Sequence, residues 1–291
     1  MAFYVEEGQS SIFTKIKISE DKCQISKLVS NNKIEKTVKK MKKKKIEQVV
    51  LSKKLKQNEE FVKKLNDYDI IIFDGKWLMQ YMLSQIIFYL EYKKIISNPD
   101  EITILANDLT NEVRQNIEKF SDMYKKIRIV TNHLEKFRRI ERKLYDDKGI
   151  SIILTNNKRK ALSKSKIIIN FDFVQELINQ YNICEEAIII NLDSTIKINK
   201  KRFCGLVITD YEVELQKNKE KDEMEMLEID NIIEEKERFS LKEILEERIY
   251  SKVQNTLNNN IFEMVENIIK RYNIRVNRLY GINRHNKLNR A

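Results

Sequence analysis

The sequence predicts an α/β protein built around a parallel β-sheet. Six short β-rich runs recur over residues 102–208, and charged, helix-like stretches separate most of them. Strands that alternate with helices of this length are typical of βαβ units. Glycine and proline number only 5 and 1 among 291 residues, which indicates short loops and many helices. The runs are ITIL (102–105), IRIV (127–130), SIIL (151–154), IIIN (167–170), AIII (187–190) and CGLVI (204–208).

The predicted fold class is α/β, with a Rossmann-like parallel-sheet domain preceded by a smaller α/β domain and followed by C-terminal helices. A chain of this length can hold two domains, each with its own core. Pro99, the single proline, marks the first boundary because proline cannot continue a helix. The predicted segments are a small α/β domain (1–96), the Rossmann-like domain (97–212), a charged linker (213–239) and a C-terminal helical segment (240–291).

The elements of the first domain follow from local patterns. Residues 12–18 alternate apolar and polar side chains, as a half-buried strand does. Ile34, Val38 and Met41 share one helix face, with lysines on the other faces. The remaining predicted elements are strands at 22–28, 46–52 and 69–73, a short helix around 61–65 and a long apolar helix at 76–92.

The C-terminal helices carry two apolar stripes. Ser240 is the predicted N-cap of the first helix, with Glu243 in the capping-box position. We favour intramolecular packing for both stripes, and a homodimer through these helices is the alternative. The stripes are Leu241, Ile244, Leu245 and Ile249, and then Val253, Leu257, Ile261, Val265 and Ile268.

The net charge of +11 is concentrated in a lysine-rich window. Residues 27–66 hold fourteen lysines against four glutamates. Such a window is typical of a solvated surface, and it is also a candidate contact for nucleic acid. No aromatic residue lies between Lys27 and Lys56 to stack on bases, so we expect any nucleic-acid binding to be weak and non-specific.

Composition also bears on location. The three cysteines are scattered and form no CxxC pair, which favours reduced thiols. No apolar run approaches the ~18 residues that span a bilayer, and the first residues do not resemble a signal peptide. We therefore expect a cytoplasmic protein that makes no membrane contact.

The loop after the first predicted strand of the Rossmann-like domain (102–105) lacks the glycines of a phosphate-binding turn. It runs through Asn107, Asp108 and Thr110 where G-x-G-x-x-G would let the backbone approach a pyrophosphate. The Asp108 carboxylate is expected to lie where the phosphates would sit and to repel them. An alternative role for Asp108 is to cap the next helix, predicted over 109–124.

Residues 127–172 resemble the NADP-binding domain of shikimate dehydrogenase and glutamyl-tRNA reductase. In that family the second strand ends in Asn-Arg-Thr, and here it ends Thr131-Asn132-His133. The fourth strand of the family ends near Asn-Ala-Thr, and here Asn170 and Asp172 follow it. The resemblance covers about residues 100–210. It implies a Rossmann fold with NADP bound where the strands end, at Asn107, Asp108, Thr131, Asn132, Asn170 and Asp172.

The departures from the family pattern disfavour NADP as a cofactor. His133 replaces the arginine that would meet a 2′-phosphate, and the glycines are missing. No motif for a catalytic residue and no metal-ligand spacing is present. We expect a non-catalytic or regulatory protein that binds a small ligand or a protein partner. The alternatives are an NADP-dependent oxidoreductase with a diverged loop, and a nucleic-acid binder that uses the lysine-rich window.

Overall fold

The computed structural model describes residues 2–8, 16–97, 100–193, 196–215, 238–254 and 260–282. The chain divides into two compact units, and the division between Trp77 and Leu78 lies inside a helix. The first unit combines residues 1–77 with 216–273, and the second combines 78–215 with 274–291. This division differs from the predicted boundary at 96 and 97. Pro99 and most of the predicted linker (216–237) lie outside the described residues.

The first unit contains a five-stranded sheet in the order β2-β3-β1-β4-β5. Strand β1 pairs in parallel with both β3 and β4, and β4 pairs in parallel with β5. Strand β2 is antiparallel to β3 at the edge. The strands are β1 (Phe3–Glu7), β2 (Ile16–Ser19), β3 (Lys22–Ile25), β4 (Gln48–Leu51) and β5 (Ile71–Phe73).

Amphipathic helices cover this sheet. Helix α1 buries Ile34, Val38 and Met41 in the core of the unit, as the sequence spacing predicts. Ser52 and Asn58 cap the two short helices that follow by accepting backbone N–H bonds. The helices are α1 (Asn31–Lys43), α2 (Lys53–Lys56), α3 (Glu59–Asp67), α10 (Leu241–Gln254) and α11 (Ile261–Arg271).

Helix α10 is buried on its charged positions as well as on its apolar ones. It packs against β4 and β5, and its buried ionisable residues are Lys242, Glu243, Glu246 and Glu247. Ser240 directly precedes the helix and its carbonyl accepts the first backbone hydrogen bonds, as predicted for the N-cap. Glu243 does not complete the predicted capping box, because its Oε1 contacts Lys56 Nζ and its Oε2 has no hydrogen-bond partner among the described residues. The Glu246 carboxylate accepts a hydrogen bond from the Gly75 N–H at 2.6 Å, directly after β5.

Burial of these charges shifts their pKa values. Burial lowers the pKa of Lys242 to about 8 and raises that of Glu243, and in each case the neighbouring opposite charge opposes the shift. The Glu243 Oε2 atom has no hydrogen-bond partner among the described residues. Since buried charges cost free energy unless they are paired, the pairing of Lys56 with Glu243 is important for the stability of this unit.

The second unit contains a seven-stranded sheet in the order β12-β11-β10-β9-β6-β7-β8. All neighbouring pairs from β8 to β11 are parallel, and β12 is antiparallel to β11. The strands are β6 (Glu101–Leu105), β7 (Lys126–Val130), β8 (Ile152–Thr155), β9 (Ile167–Asn170), β10 (Ile188–Asn191), β11 (Leu206–Leu215) and β12 (Ile274–Ile282).

The six parallel strands have the order of the Rossmann fold. Counted from β6, the sheet order is 3-2-1-4-5-6, and the strand order reverses between β6 and β9. In open α/β sheets, ligands bind outside the carboxyl ends of the strands at such a switch point. The fold therefore directs attention to the residues that follow β6 and β9.

The helices of the second unit connect these strands. Thr110 caps α6 by accepting the Val113 N–H, and Gly149 ends α7 in the left-handed conformation. The predicted long helix at 76–92 is interrupted at Met82. The helices are α4 (Lys76–Tyr81, which crosses the division), α5 (Leu83–Tyr92), α6 (Asn111–Met123), α7 (Leu134–Lys148), α8 (Lys158–Leu162) and α9 (Gln175–Asn179).

The C-terminal segment is not wholly helical. Two helices form as predicted, but Ile274–Ile282 is a strand that pairs with β11, so the helical prediction is wrong there. Leu257 and the basic residues from Asn283 onward lie outside the described residues. Within the described part of the chain, no helix is long and apolar enough to cross a membrane.

Candidate functional site

The candidate site lies at the carboxyl edge of the Rossmann-type sheet, at the switch point. Asn107 and Asp108 follow β6, and Asp172 follows β9, the strand beside it. The structure brings these three residues together, as expected for residues that follow neighbouring parallel strands.

The Asp172 carboxylate is bound to the backbone of the loop after β6. The Asn107 N–H donates to both carboxylate oxygens, at 2.9 Å and 2.7 Å. The Asp108 N–H donates to Oδ2 at 3.1 Å, and Asn107 Nδ2 donates to Oδ1 at 3.3 Å. In a dinucleotide-binding fold, backbone N–H groups of this loop face the pyrophosphate. Here a carboxylate from the same chain accepts their hydrogen bonds.

Asp108 forms an ion pair that the sequence did not predict. Its carboxylate is 67% exposed and pairs with Lys136 on α7, and this lysine lowers the pKa of Asp108. Helix α6 begins at Asn111 with Thr110 as its N-cap, so the prediction that Asp108 caps the helix is wrong. The carboxylate that contacts the loop N–H groups belongs to Asp172.

Burial raises the pKa of Asp172. The N–H groups of Asn107 and Asp108 oppose that rise, whereas the negative charges of Asp108 and Asp193 add to it. The loop N–H groups therefore favour the ionised form of the half-buried Asp172.

The residues after β7 extend the site. The Asn132 N–H donates to Asn107 Oδ1 at 3.0 Å, so this amide joins the loop after β7 to the loop after β6. Thr131 is fully buried, and its hydroxyl accepts the His133 N–H at 3.0 Å. The buried Thr131 thus stabilises the loop through its hydroxyl group, while Asn132 is exposed at the edge.

Lys158 is a residue of the site that the sequence analysis missed. It is the first residue of α8, directly beyond β8, and its Nζ donates to Asn132 Oδ1. Nζ also lies 5.9 Å from the centroid of the Phe173 ring. The signal that could have found it is its position after a predicted strand, the same signal that indicated Thr131, Asn132 and Asp172.

Asn170 is committed to a buried polar contact. Its Nδ2 donates to Asn191 Oδ1 at 2.7 Å and to the Phe173 carbonyl at 2.8 Å, while its Oδ1 accepts the Phe173 N–H. Both asparagines are completely buried. Of the six predicted site residues, Asn107, Asp108, Asn132 and Asp172 therefore face the edge, and Thr131 and Asn170 support it.

A continuous chain of hydrogen bonds crosses four strand ends. It runs from Lys158 to Asn132, then to Asn107, and ends at Asp172. Such an arrangement holds polar groups in fixed positions, which is what a binding site requires. Among the described residues, no three His, Cys, Asp or Glu side chains are grouped so that they could hold a metal ion.

The comparisons with known proteins show broad similarity only. No model of a protein family matches the chain, and no curated protein matches it. Similar solved structures include L-tryptophan dehydrogenase from Nostoc punctiforme, with 9% identity, 86% of this chain and 68% of that chain covered, and a TM-score of 0.31.

Two further structures are similar at the same level. A chorismate mutase/shikimate 5-dehydrogenase fusion protein from Clostridium acetobutylicum has 13% identity, covers 92% of this chain and 98% of its own, and has a TM-score of 0.27. A proposed aspartate carbamoyltransferase from Trypanosoma cruzi has 11% identity, 68% and 71% coverage, and a TM-score of 0.27. Scores this low say nothing about substrate or reaction.

Proposed function

We propose that the second unit is a non-catalytic binding module that holds a small ligand or a partner at the carboxyl edge of its sheet. The Rossmann strand order supports the location of the site. The polar chain from Lys158 to Asp172 supports binding through hydrogen bonds, and no motif for a catalytic residue is recognisable in the sequence.

One observation carries this proposal, namely the Asp172 carboxylate on the Asn107 and Asp108 N–H groups. A pyrophosphate would have to displace this carboxylate and then lie beside its negative charge. The negative charges of the pyrophosphate and of Asp172 would repel each other, and the displaced carboxylate would lose its N–H donors. The contact thus favours a ligand that leaves the Asn107 and Asp108 N–H groups bonded to Asp172.

The first prediction is that the wild-type protein binds NADPH with a Kd weaker than about 100 µM. The reason is that the N–H groups which would meet the pyrophosphate are already bonded to Asp172. Isothermal titration calorimetry with NADPH, and with NADH as the matched dinucleotide, measures this directly. A micromolar Kd for either one would contradict the proposal.

An NADP-dependent oxidoreductase is the second candidate function. The strand order 3-2-1-4-5-6 favours it because this is the order that binds dinucleotides in the Rossmann fold. The same calorimetry separates the two candidates, since an oxidoreductase is expected to bind NADPH with a micromolar Kd.

Nucleic-acid binding through the lysine-rich window is the third candidate. Helix α1 carries Lys36, Lys39, Lys40 and Lys43 as exposed residues, which gives a positively charged surface. Lys39 pairs with Glu35 at 3.1 Å, so part of this charge is neutralised within the helix. The surface attracts phosphates but offers no aromatic side chain for stacking.

The second prediction concerns the salt dependence of this surface. Four to six phosphate contacts give a slope of about −0.9 each in log K against log salt, so duplex DNA affinity should fall roughly 100- to 1,000-fold from ~50 to ~200 mM salt. Gel-shift titrations with several DNA sequences measure the effect. The triple variant Lys36→Ala/Lys40→Ala/Lys43→Ala should bind DNA more weakly than the wild type at the same salt concentration. Tight or sequence-specific binding at ~200 mM salt would instead favour a nucleic-acid protein.

A homodimer through the C-terminal helices stays a proposal. In the single chain, α10 and α11 bury their apolar residues within the first unit, and Ile244, Leu245, Val265 and Ile268 are all buried there. Self-association would therefore have to use other faces of these helices.

A further inference from the structure

Lys158 is a largely buried lysine at the candidate site that has no anionic partner among the described residues. Its relative exposure is 9%, and no Asp or Glu of the described residues forms an ion pair with it. Its contacts are the Asn132 amide oxygen and the face of the Phe173 ring. Both contacts favour a cation, but neither carries a full negative charge.

A buried ammonium group is costly unless something compensates its charge. Two carboxylates of the candidate site have other partners, because Asp172 accepts loop N–H bonds and Asp108 pairs with Lys136. A cation–π contact with Phe173 stabilises the ammonium group but leaves its charge in place. The charge on Lys158 is therefore available to an anionic group that comes from outside the chain.

The surroundings of Lys158 indicate how that group would arrive. Asn132 is exposed at the edge and holds Nζ through its side-chain oxygen, so Nζ has further N–H donors for a ligand. The Phe173 ring, whose centroid lies 5.9 Å from Nζ, is itself buried in the hydrophobic core. A ligand that approaches along Asn132 would meet a charged donor and the amide together.

We infer that Lys158, together with Asn132, binds a phosphate or carboxylate group of a small ligand at the carboxyl edge of the second unit. This inference rests on the proposed function and adds the chemical class of the ligand. It also separates two positions along the edge. The anionic group binds at the ends of β7 and β8, while Asp172 keeps the end of β6 closed to phosphate.

An NMR titration with inorganic phosphate tests the inference on the full chain. We expect the backbone amide signals of Asn132, Lys158 and Phe173 to shift together as phosphate is added. A titration up to about 20 mM phosphate is sufficient to detect a Kd in the millimolar range. Acetate tests the carboxylate form, and adenosine 5′-monophosphate distinguishes free phosphate from a phosphate carried by a nucleoside. Unchanged signals with all three anions would overturn the inference.

Three variants assign the effect to the charge. Lys158→Met keeps the length and apolar stem, and it should weaken phosphate binding about tenfold or more, since charged hydrogen bonds are the strong ones. Lys160→Met is the matched control because Lys160 lies on the same helix and is exposed, and it should bind like the wild type. Lys158→Arg should retain binding. Equal Kd values for Lys158→Met and Lys160→Met would overturn the inference.

The outcome also separates this inference from the proposed function. If an uncharged metabolite shifts the same amide signals while phosphate and acetate do not, the edge binds ligands but Lys158 does not select anions. If phosphate binds through Lys158 and NADPH binds with micromolar affinity as well, the anion site stands and the non-catalytic proposal fails. Since the wild-type titration needs no variant, poor folding of Lys158→Met would not prevent the test.

Discussion

Lys56→Met is expected to lower the free energy of unfolding by about 3 kcal/mol, because it leaves the Glu243 carboxylate buried without its cation. The Glu243 side chain is 0% exposed, whereas Lys56 is 29% exposed. Glu243 Oε2 lacks a hydrogen-bond partner among the described residues, so the hydrogen bond from Lys56 to Oε1 is the one that the variant removes. Lys242 also lowers the pKa of Glu243, which limits the loss.

Matched variants separate buried from exposed charge. Lys54→Met lies on the same helix and removes a lysine that is 70% exposed and paired with Glu7, so it should cost at most about 1 kcal/mol. Glu243→Met should cost less than Lys56→Met, because the freed Lys56 can turn toward water. The double variant Lys56→Met/Glu243→Met should recover most of the lost stability.

Denaturant unfolding followed by Trp77 fluorescence measures these differences. Trp77 is the single tryptophan, and it belongs to the first unit, where its ring lies 5.3 Å from that of Tyr250. Equal losses for Lys56→Met and Lys54→Met would show that Glu243 is not held in a buried ionic contact.

The loss from Lys56→Met should also depend on pH. Burial raises the pKa of Glu243 above its ordinary 4.5, and Lys56 opposes that rise, so the variant raises the pKa further. Below pH 4.5 the carboxyl group is protonated in both the folded and the unfolded chain, and the loss should nearly vanish. The unfolded chains of the wild type and the variant ionise alike, so the loss should grow as pH rises from the Glu243 pKa of the folded wild type to the higher pKa of the folded variant.

The sequence predicted the Rossmann-type strands well because each is a short apolar run between polar stretches. All six predicted runs between 102 and 208 coincide with parallel strands. The strand Ile274–Ile282 was missed because its apolar–polar alternation breaks at Asn277 and Arg278, soon after a strong helical stripe. Its strand conformation depends on pairing with β11, which is a long-range contact.

The burial of α10 could not be predicted from its own pattern. Apolar residues such as Ile244 and Leu245 mark one face, and Glu243, Glu246 and Glu247 resemble a solvated face. Their partners are far away in sequence, for example Lys56 and Gly75. The local periodicity of a helix contains no information about such distant partners. The buried charges of α10 could therefore be identified only from the three-dimensional structure.

The site was predicted in part. Polar residues at strand ends correctly indicated Asn107, Asn132 and Asp172 as neighbours at one edge. The sequence could not decide which carboxylate contacts the loop N–H groups, because that depends on the register between β6 and β9. Lys158 was one lysine among many, and it is distinguished by its burial together with its contact to Asn132 at the sheet edge.

Asp172→Ala is expected to strengthen NADPH binding about tenfold or more, which corresponds to at least about 1.4 kcal/mol. The substitution frees the Asn107 and Asp108 N–H groups and removes the negative charge from the position of a pyrophosphate. The same change should lower the free energy of unfolding by about 2 kcal/mol, because the loop N–H groups lose a charged acceptor.

The decisive control is Asp108→Ala, since the sequence alone assigned the repulsive carboxylate to Asp108. That carboxylate is 67% exposed and pairs with Lys136, so its removal should change the NADPH Kd by less than about twofold. Calorimetry on the wild type and both variants, with circular dichroism to confirm that each is folded, gives the comparison. If Asp172→Ala binds NADPH no better than Asp108→Ala, the missing glycines and the side chain of Asn107 close the loop, and Asp172 does not determine what the edge can bind.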